Sequence, residues 1–289
     1  MRLRWKASFS ASCLHAAASM LEGLPIADTS AAANLRPCVE ALRDELRGCG
    51  LDAGPTLQLL VGLAAEYENN RQLVEVAVTR SRGRAAIDDA TIRRLAGCIA
   101  DLEATWLRLQ PNLVDELSVR GRPMREQWES RGPGLLRAAE RLTDEEFLAP
   151  AAEIVLVTPI IGGHGRAHLR SNRVTLEAVL TNVDPDLPEI LRVGWLLTQL
   201  NLDLPVRAES VSAKRLPQLA SLATVPLTLA AAADVELAQL DNAAVTRALQ
   251  VWHLPPGVAT QLLHWWTSYV EDRPRWAVAI AALAQMLPD

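Results

Sequence analysis

The chain has 289 residues, 49% of them apolar and 22% charged, which suits one large domain or two ordinary ones and is too hydrophobic for a disordered chain. A formal net charge of −5 and a pI near 5.6 argue against a dedicated nucleic-acid protein, which carries a strong basic excess. The positive charge is almost all arginine, with Lys6 and Lys214 the only lysines. Codon bias in a GC-rich bacterial genome produces that pattern; selection for anion binding is the sharper alternative.

The basic start, residues 1–6, and the mildly apolar stretch to Leu21 have the outline of a signal peptide. Four serines and His15 leave it a poor apolar core, and Cys13 follows Ser10, Ala11 and Ser12 rather than a lipoprotein site. The stretch is therefore expected to be an amphipathic helix of a cytoplasmic protein. Periodicity predicts helices over 8–22, 31–47, 56–79, 88–109 and 112–142. Short Gly- or Pro-bearing joints lie at 48–55, 80–84 and 131–134, so neighbouring helices should pack antiparallel. The cysteines Cys13, Cys38, Cys49 and Cys98 form no C-x-x-C pair and have no histidine at zinc-finger spacing, which makes them small buried helix residues.

The pattern changes at residue 150. Glu153 to Thr158 is β-branched-rich and bounded by Pro150 and Pro159, as a buried strand would be. From Val174 to Leu180 apolar residues recur with period two, after a turn at Ser171-Asn172. A two- or three-stranded, mainly antiparallel sheet at 153–182 is expected. A helix follows, with Asp186 as N-cap and Pro188 and Glu189 in its first turn. Its apolar residues, Leu187 to Leu200, lie nearly all round, so it should be deeply buried. Helices near 212–224, 227–240, 243–252, 256–271 and 274–286 complete the chain. The uncharged stretch 216–233 carries Pro217, Gln218 and Pro226 and is a poor membrane span. The expected fold is mainly α (α+β): helical arrays flanking a small sheet and a buried central helix. The expected regions are 1–149 and 150–289, or one continuous domain.

Chemistry-bearing patterns are few. In Gly162-Gly-His-Gly-Arg-Ala-His168 the glycines disfavour a helix, and in an extended chain the two histidines stand about 13 Å apart, too far to share a metal. The segment lacks the Lys-Ser/Thr end of a phosphate loop, and no serine elbow or dinucleotide fingerprint occurs elsewhere. Arg80, Arg82 and Arg84 fall in a predicted loop, with Arg93, Arg94, Arg120, Arg122, Arg125 and Arg131 further on; interleaved acids make these solvated faces, and a local site for an acidic partner or RNA is the alternative. Trp252, Trp265, Trp266 and Trp276 lie beside His253 and His264; helical spacing makes most of them core residues, and because adjacent Trp265 and Trp266 cannot face one way on a helix, a partner surface for one of that pair is the alternative.

The order of elements, helices then a small sheet with an edge hairpin then a helix beginning near Pro188, resembles the layout of gluzincin-type zinc peptidases. That resemblance implies a helix carrying H-E-x-x-H, in which two histidines hold zinc and the glutamate activates water. Residues 187–201 contain no histidine, so no catalytic residue, metal ligand or cofactor carries over. The segment is also similar to proteins of planctomycete-type bacteria, which brings no activity with it. Two readings follow. In the first the chain is a non-catalytic helical structural or protein-interaction protein, with no membrane or nucleic-acid partner. In the second it is a catalytically degenerate metallopeptidase-like fold that keeps a ligand- or peptide-binding groove. The candidate ligand-binding residues of that groove are His164, His168, Glu177, Arg192 and Gln199, with Asn201 nearby.

Overall fold

The structure, a computed structural model, describes residues 1–83, 88–144 and 146–287. The described residues form twelve α-helices around a four-stranded mixed sheet, a mainly α fold. β1 (Arg2–Ala7) leads into α1 (Phe9–Leu21), α2 (Thr29–Gly48), α3 (Ala53–Ala64), α4 (Asn70–Arg82), α5 (Asp89–Leu109) and α6 (Leu113–Leu142). β2 (Ala151–Val157), β3 (Gly165–His168), β4 (Arg173–Glu177) and α7 (Glu189–Leu197) follow. The chain then runs through α8 (Pro205–Ala208), α9 (Leu216–Asp234), α10 (Asn242–Val251), α11 (Ala259–Asp272) and α12 (Trp276–Met286).

The sheet order is β1-β2-β4-β3. β2 lies parallel to both β1 and β4, and only β3 runs antiparallel, against β4. This differs from the expected two or three mainly antiparallel strands, because the first residues of the chain are a strand. Arg2, Arg4 and Lys6 alternate with Leu3, Trp5 and Ala7, a period of two that pairs in register from Arg2↔Ala151 to Ala7↔Leu156. The basic start therefore belongs to the sheet edge, and the helix starts at Phe9 with the Ser8 hydroxyl accepting from the Ala11 N–H at 3.2 Å. The turn at Ser171-Asn172 does join β3 to β4, with Asn172 in the left-handed region.

β4 is flanked by strands and covered on both faces, so its polar positions are buried as deeply as its apolar ones. Leu176 shares a face with Leu156, which meets α6 at Gly121. Thr175 and Glu177 face the other way, toward His168 and toward His15 of α1. α7 is buried along its whole length, as its all-round apolar pattern predicts.

Other departures have local causes. The predicted helix 56–79 is two helices, because Asn69 caps α4 by accepting from the Arg71 and Gln72 N–H groups. The two helices predicted either side of Pro226 are one, α9; its burial offsets the roughly 3 kcal/mol that an internal proline costs. α9 is also the one described helix long and apolar enough to cross a bilayer, and most of it is packed inside the protein. Asp186 does not cap α7: it pairs with Arg247, while Asn182 Oδ1 accepts the Glu189 N–H at 3.1 Å. Trp265 and Trp266 are both buried, in a cluster with Tyr269 and Trp276, so neither reaches outward. Arg80 and Arg82 lie on α4 rather than in a loop, and Arg84 lies outside the described residues. Arg93 pairs with Asp89, Arg94 with Glu45 and Arg125 with Glu129. All four cysteines are free thiols, and only Cys13 is buried as expected; Cys38, Cys49 and Cys98 are half-buried.

Candidate functional site

The chain leaving β2 turns through residues 158–164 and re-enters the sheet as β3. Glu177, at the end of β4, is what holds this turn. One carboxylate oxygen accepts from the backbone N–H groups of Gly162 at 2.9 Å, Gly163 at 2.6 Å and His164 at 3.0 Å. The other accepts from the Ile161 N–H at 2.9 Å and lies 3.0 Å from His15 Nε2. Positive φ at Gly162 and Gly163 aims the successive N–H groups inward. Gly163 also has no room for a side chain, since a Cβ there would stand 2.4 Å from Val183 and 2.9 Å from the Arg192 guanidinium. Burial works against the charge on Glu177, but the hydrogen bond and attraction from His15 and the backbone donors outweigh it and hold the pKa at about 2. Both oxygens are fully engaged, so this carboxylate is an anchor rather than a base with a free lone pair.

Three imidazoles run outward from that anchor. His15 stacks on His164 with ring centroids 5.7 Å apart, and His164 meets His253 at 5.8 Å. His15 and His164 are buried, whereas His253 is exposed in the turn after α10, at positive φ. Burial, with the neighbouring charges of His15 and Arg166, pushes the His164 pKa well down and keeps that ring neutral at physiological pH. Its Nδ1 is buried without a hydrogen-bond partner.

Arg192 and Glu189 lie one turn apart on α7, both buried, with Nη1 3.1 Å from Oε2 and Nη2 3.2 Å from Oε1. Burial lowers the Arg192 pKa and raises that of Glu189, each opposed by the other's charge. His168 lies on the α3 side of the sheet, with Nε2 3.1 Å from the Thr175 hydroxyl and its ring against Gly62. Burial, then Arg166 and His15, push its pKa down to about 3.

A groove of about 330 Å³ lies between β3, α7, the start of α9 and the turn after α10. β3 forms one wall, with Gly165 close enough to α7 that a Cβ would stand 2.6 Å from Leu196. The opposite wall is Trp195, stacked on Trp252 at 4.8 Å, with Gln199 beside it. Arg166 and Lys214 bring positive charge, and among the described residues no carboxylate lines the groove. Arg166 is paired with Glu22 at 2.6 Å; Lys214 has no ion-pair partner among the described residues.

Of the candidate residues, the structure brings His164 and Gln199 together in this groove. Glu177 and Arg192 support the turn behind it, and His168 serves the opposite face of the sheet. Sequence reasoning missed Arg166, Trp195, Lys214, Trp252 and His253. The Trp252-His253 pair was visible as a cluster, but its distance of some 90 positions from residue 164 hid the connection. Among the described residues no group of three or more His, Cys, Asp or Glu side chains is placed to hold a metal. Comparison of the chain with known family models, curated proteins and solved structures finds no match.

Proposed function

We propose that this chain is a non-catalytic binding protein of the cytoplasm whose groove at the sheet edge accepts an extended, acidic segment of a partner protein. The observation that carries the reading is that β3 is an edge strand forming one wall of a groove lined, among the described residues, by cations and tryptophans but no carboxylate. His164 and Glu177 exchange a ladder hydrogen bond, Glu177 N–H to His164 C=O at 2.9 Å. The alternation of an antiparallel ladder then turns the backbone groups of Gly165 and Ala167 away from β4 and toward the groove. Such an edge pairs with an added strand, while the side-chain walls select its sequence. The engagement of Glu177 and the burial of the Glu189–Arg192 pair support the absence of catalysis in this reading.

The test is titration with acidic and basic peptides of equal length, followed by the fluorescence of the Trp195–Trp252 pair. An acidic peptide should change the emission and a basic one should not. Ala167→Pro removes an outward N–H that β4 does not use, so it should weaken binding at least tenfold without loss of fold. Undiminished binding by a folded Ala167→Pro protein would remove strand addition from the proposal.

A second reading, the degenerate metallopeptidase-like fold, is favoured by one observation. Pro188-Glu189-Ile190-Leu191-Arg192 keeps the glutamate of an H-E-x-x-H helix and puts proline and arginine where the histidines would stand. On this reading the Arg192 guanidinium replaces the metal as the cation beside Glu189. Conversion of both positions to histidine, followed by zinc titration, tests it: absence of stoichiometric binding counts against it.

A further inference from the structure

Two buried polar side chains of the groove at β3 each keep an unbonded atom open. Gln199 is 4% exposed and His164 7% exposed, and both line the groove. Gln199 Nε2 donates to the Trp195 carbonyl at 3.0 Å, which fixes the orientation of the amide and leaves Oε1 without a partner among the described residues. His164 Nε2 likewise makes no bond among the described residues. Unlike His164 Nδ1, which is enclosed, neither of these two atoms is sealed from solvent. The neutral His164 ring carries a single N–H. At Nδ1 it would be an orphaned buried donor, so it sits on Nε2 and gives the groove a donor there.

The two groups serve opposite faces of the strand edge. Gly165 pairs with Leu176 and Arg166 with Thr175, so successive β3 side chains alternate between faces. A Cβ on Gly165 would stand 2.6 Å from Leu196, which puts α7 on the Gly165 face. Gln199, three residues past Leu196, comes to that same face. His164 points the other way with Arg166, its ring lying on His15. The side chains of a strand added at this edge alternate likewise. One set meets His164 and Arg166, and the other meets Trp195 and Gln199.

The first face offers N–H donors and positive charge, which select carboxylates. The second offers a free amide oxygen and, on Gln199 Nε2, a second N–H. A carboxylate has no hydrogen to give Oε1, and an ammonium group is opposed by Lys214. A carboxamide matches both atoms: its N–H donates to Oε1 and its carbonyl accepts from Nε2. Resting on the reading of this groove as the acceptor of an acidic strand, we propose that the strand turns its acidic side chains toward His164 and Arg166 and presents an asparagine or glutamine on the opposite face, paired with Gln199. Gln199 is then the residue that sets specificity beyond charge.

The experiment is calorimetric titration of the full chain with a nonapeptide of alternating glutamate and threonine, and with forms in which one inner threonine is replaced by glutamine or by methionine, its apolar near-isostere. The glutamine form should bind about tenfold more tightly, because methionine covers Oε1 without bonding it. Gln199→Met should abolish that preference. The Trp195 carbonyl keeps the Thr198 hydroxyl as a donor at 2.9 Å, so this variant should fold, as circular dichroism would show; should it unfold, the ratio on the wild type decides alone. Glutamine in place of an inner glutamate should weaken binding, since that face holds no partner amide. Equal binding of the glutamine and methionine forms, a preference that survives Gln199→Met, or a gain from glutamine on the glutamate face would each overturn the pairing with Gln199, while binding of the parent peptide leaves the strand-acceptor reading in place. A parent peptide that does not bind removes that reading and this one with it.

Discussion

Glu177→Gln changes one atom of the side chain that organises the turn at residues 161–164, and its cost can be worked from the hydrogen bonds. If the new amide nitrogen takes the place of the oxygen facing Gly162, Gly163 and His164, three backbone N–H groups lose their acceptor and face another donor. In the opposite orientation only the Ile161 N–H is orphaned, and His15, the donor to the carboxylate, must give up its Nε2 proton to accept from the amide. The second arrangement is the one adopted. It costs about 1–3 kcal/mol for the orphaned buried donor, plus the weakening of the three remaining bonds from charge-assisted to neutral. The sum is about 2–5 kcal/mol. Titration gives an independent measure. Glu177 has its pKa lowered from 4.5 to about 2, so its charge stabilises the fold above pH 4.5 and that contribution disappears as pH falls toward 2. The size of the shift corresponds to roughly 3 kcal/mol, in line with the bonding argument. Urea denaturation of both proteins at neutral pH and near pH 3 is the assay. The wild type should lose stability across this acid range, whereas Glu177→Gln should start lower and lose less. A variant within about 0.5 kcal/mol of wild type at neutral pH would refute the view of this carboxylate as the anchor of the turn.

Gly163→Ala should be destabilising by about 2 kcal/mol or more, because it combines a φ of +126° with a Cβ pressed on Val183 and Arg192; a calorimetric Tm near wild type would show that the turn relaxes freely. Deletion of residues 1–7 strips β1 from β2 and exposes a hydrophobic parallel strand edge. The truncated protein should aggregate or unfold at a markedly lower temperature, and light scattering with circular dichroism reads both outcomes. Trp265→Phe removes the indole bond to the Ala279 carbonyl at 2.7 Å and should cost about 1–3 kcal/mol in chemical denaturation, since the acceptor stays buried.

Much of the architecture was legible because it rests on local rules. The apolar stripe from Ile92 to Leu109, the aspartate cap at Asp88 and the β-branched run at 153–158 mark elements that form where those patterns predict. The glycines at 162–165 signalled a backbone that is not helical, and α7 advertised its burial by being apolar nearly all round. Periodicity also shows that Glu177 sits in a strand. It does not show that this carboxylate meets His15, 162 positions away, or that its oxygens are taken up by the glycine turn. Strand orientation, the recruitment of residues 2–7 to the sheet, and the meeting of β3 with Trp195, Lys214 and His253 depend on long-range pairing, to which no local pattern responds. Secondary structure and burial follow from spacing along the chain; the groove and the anchor follow from which distant segments the hydrophobic core brings into register.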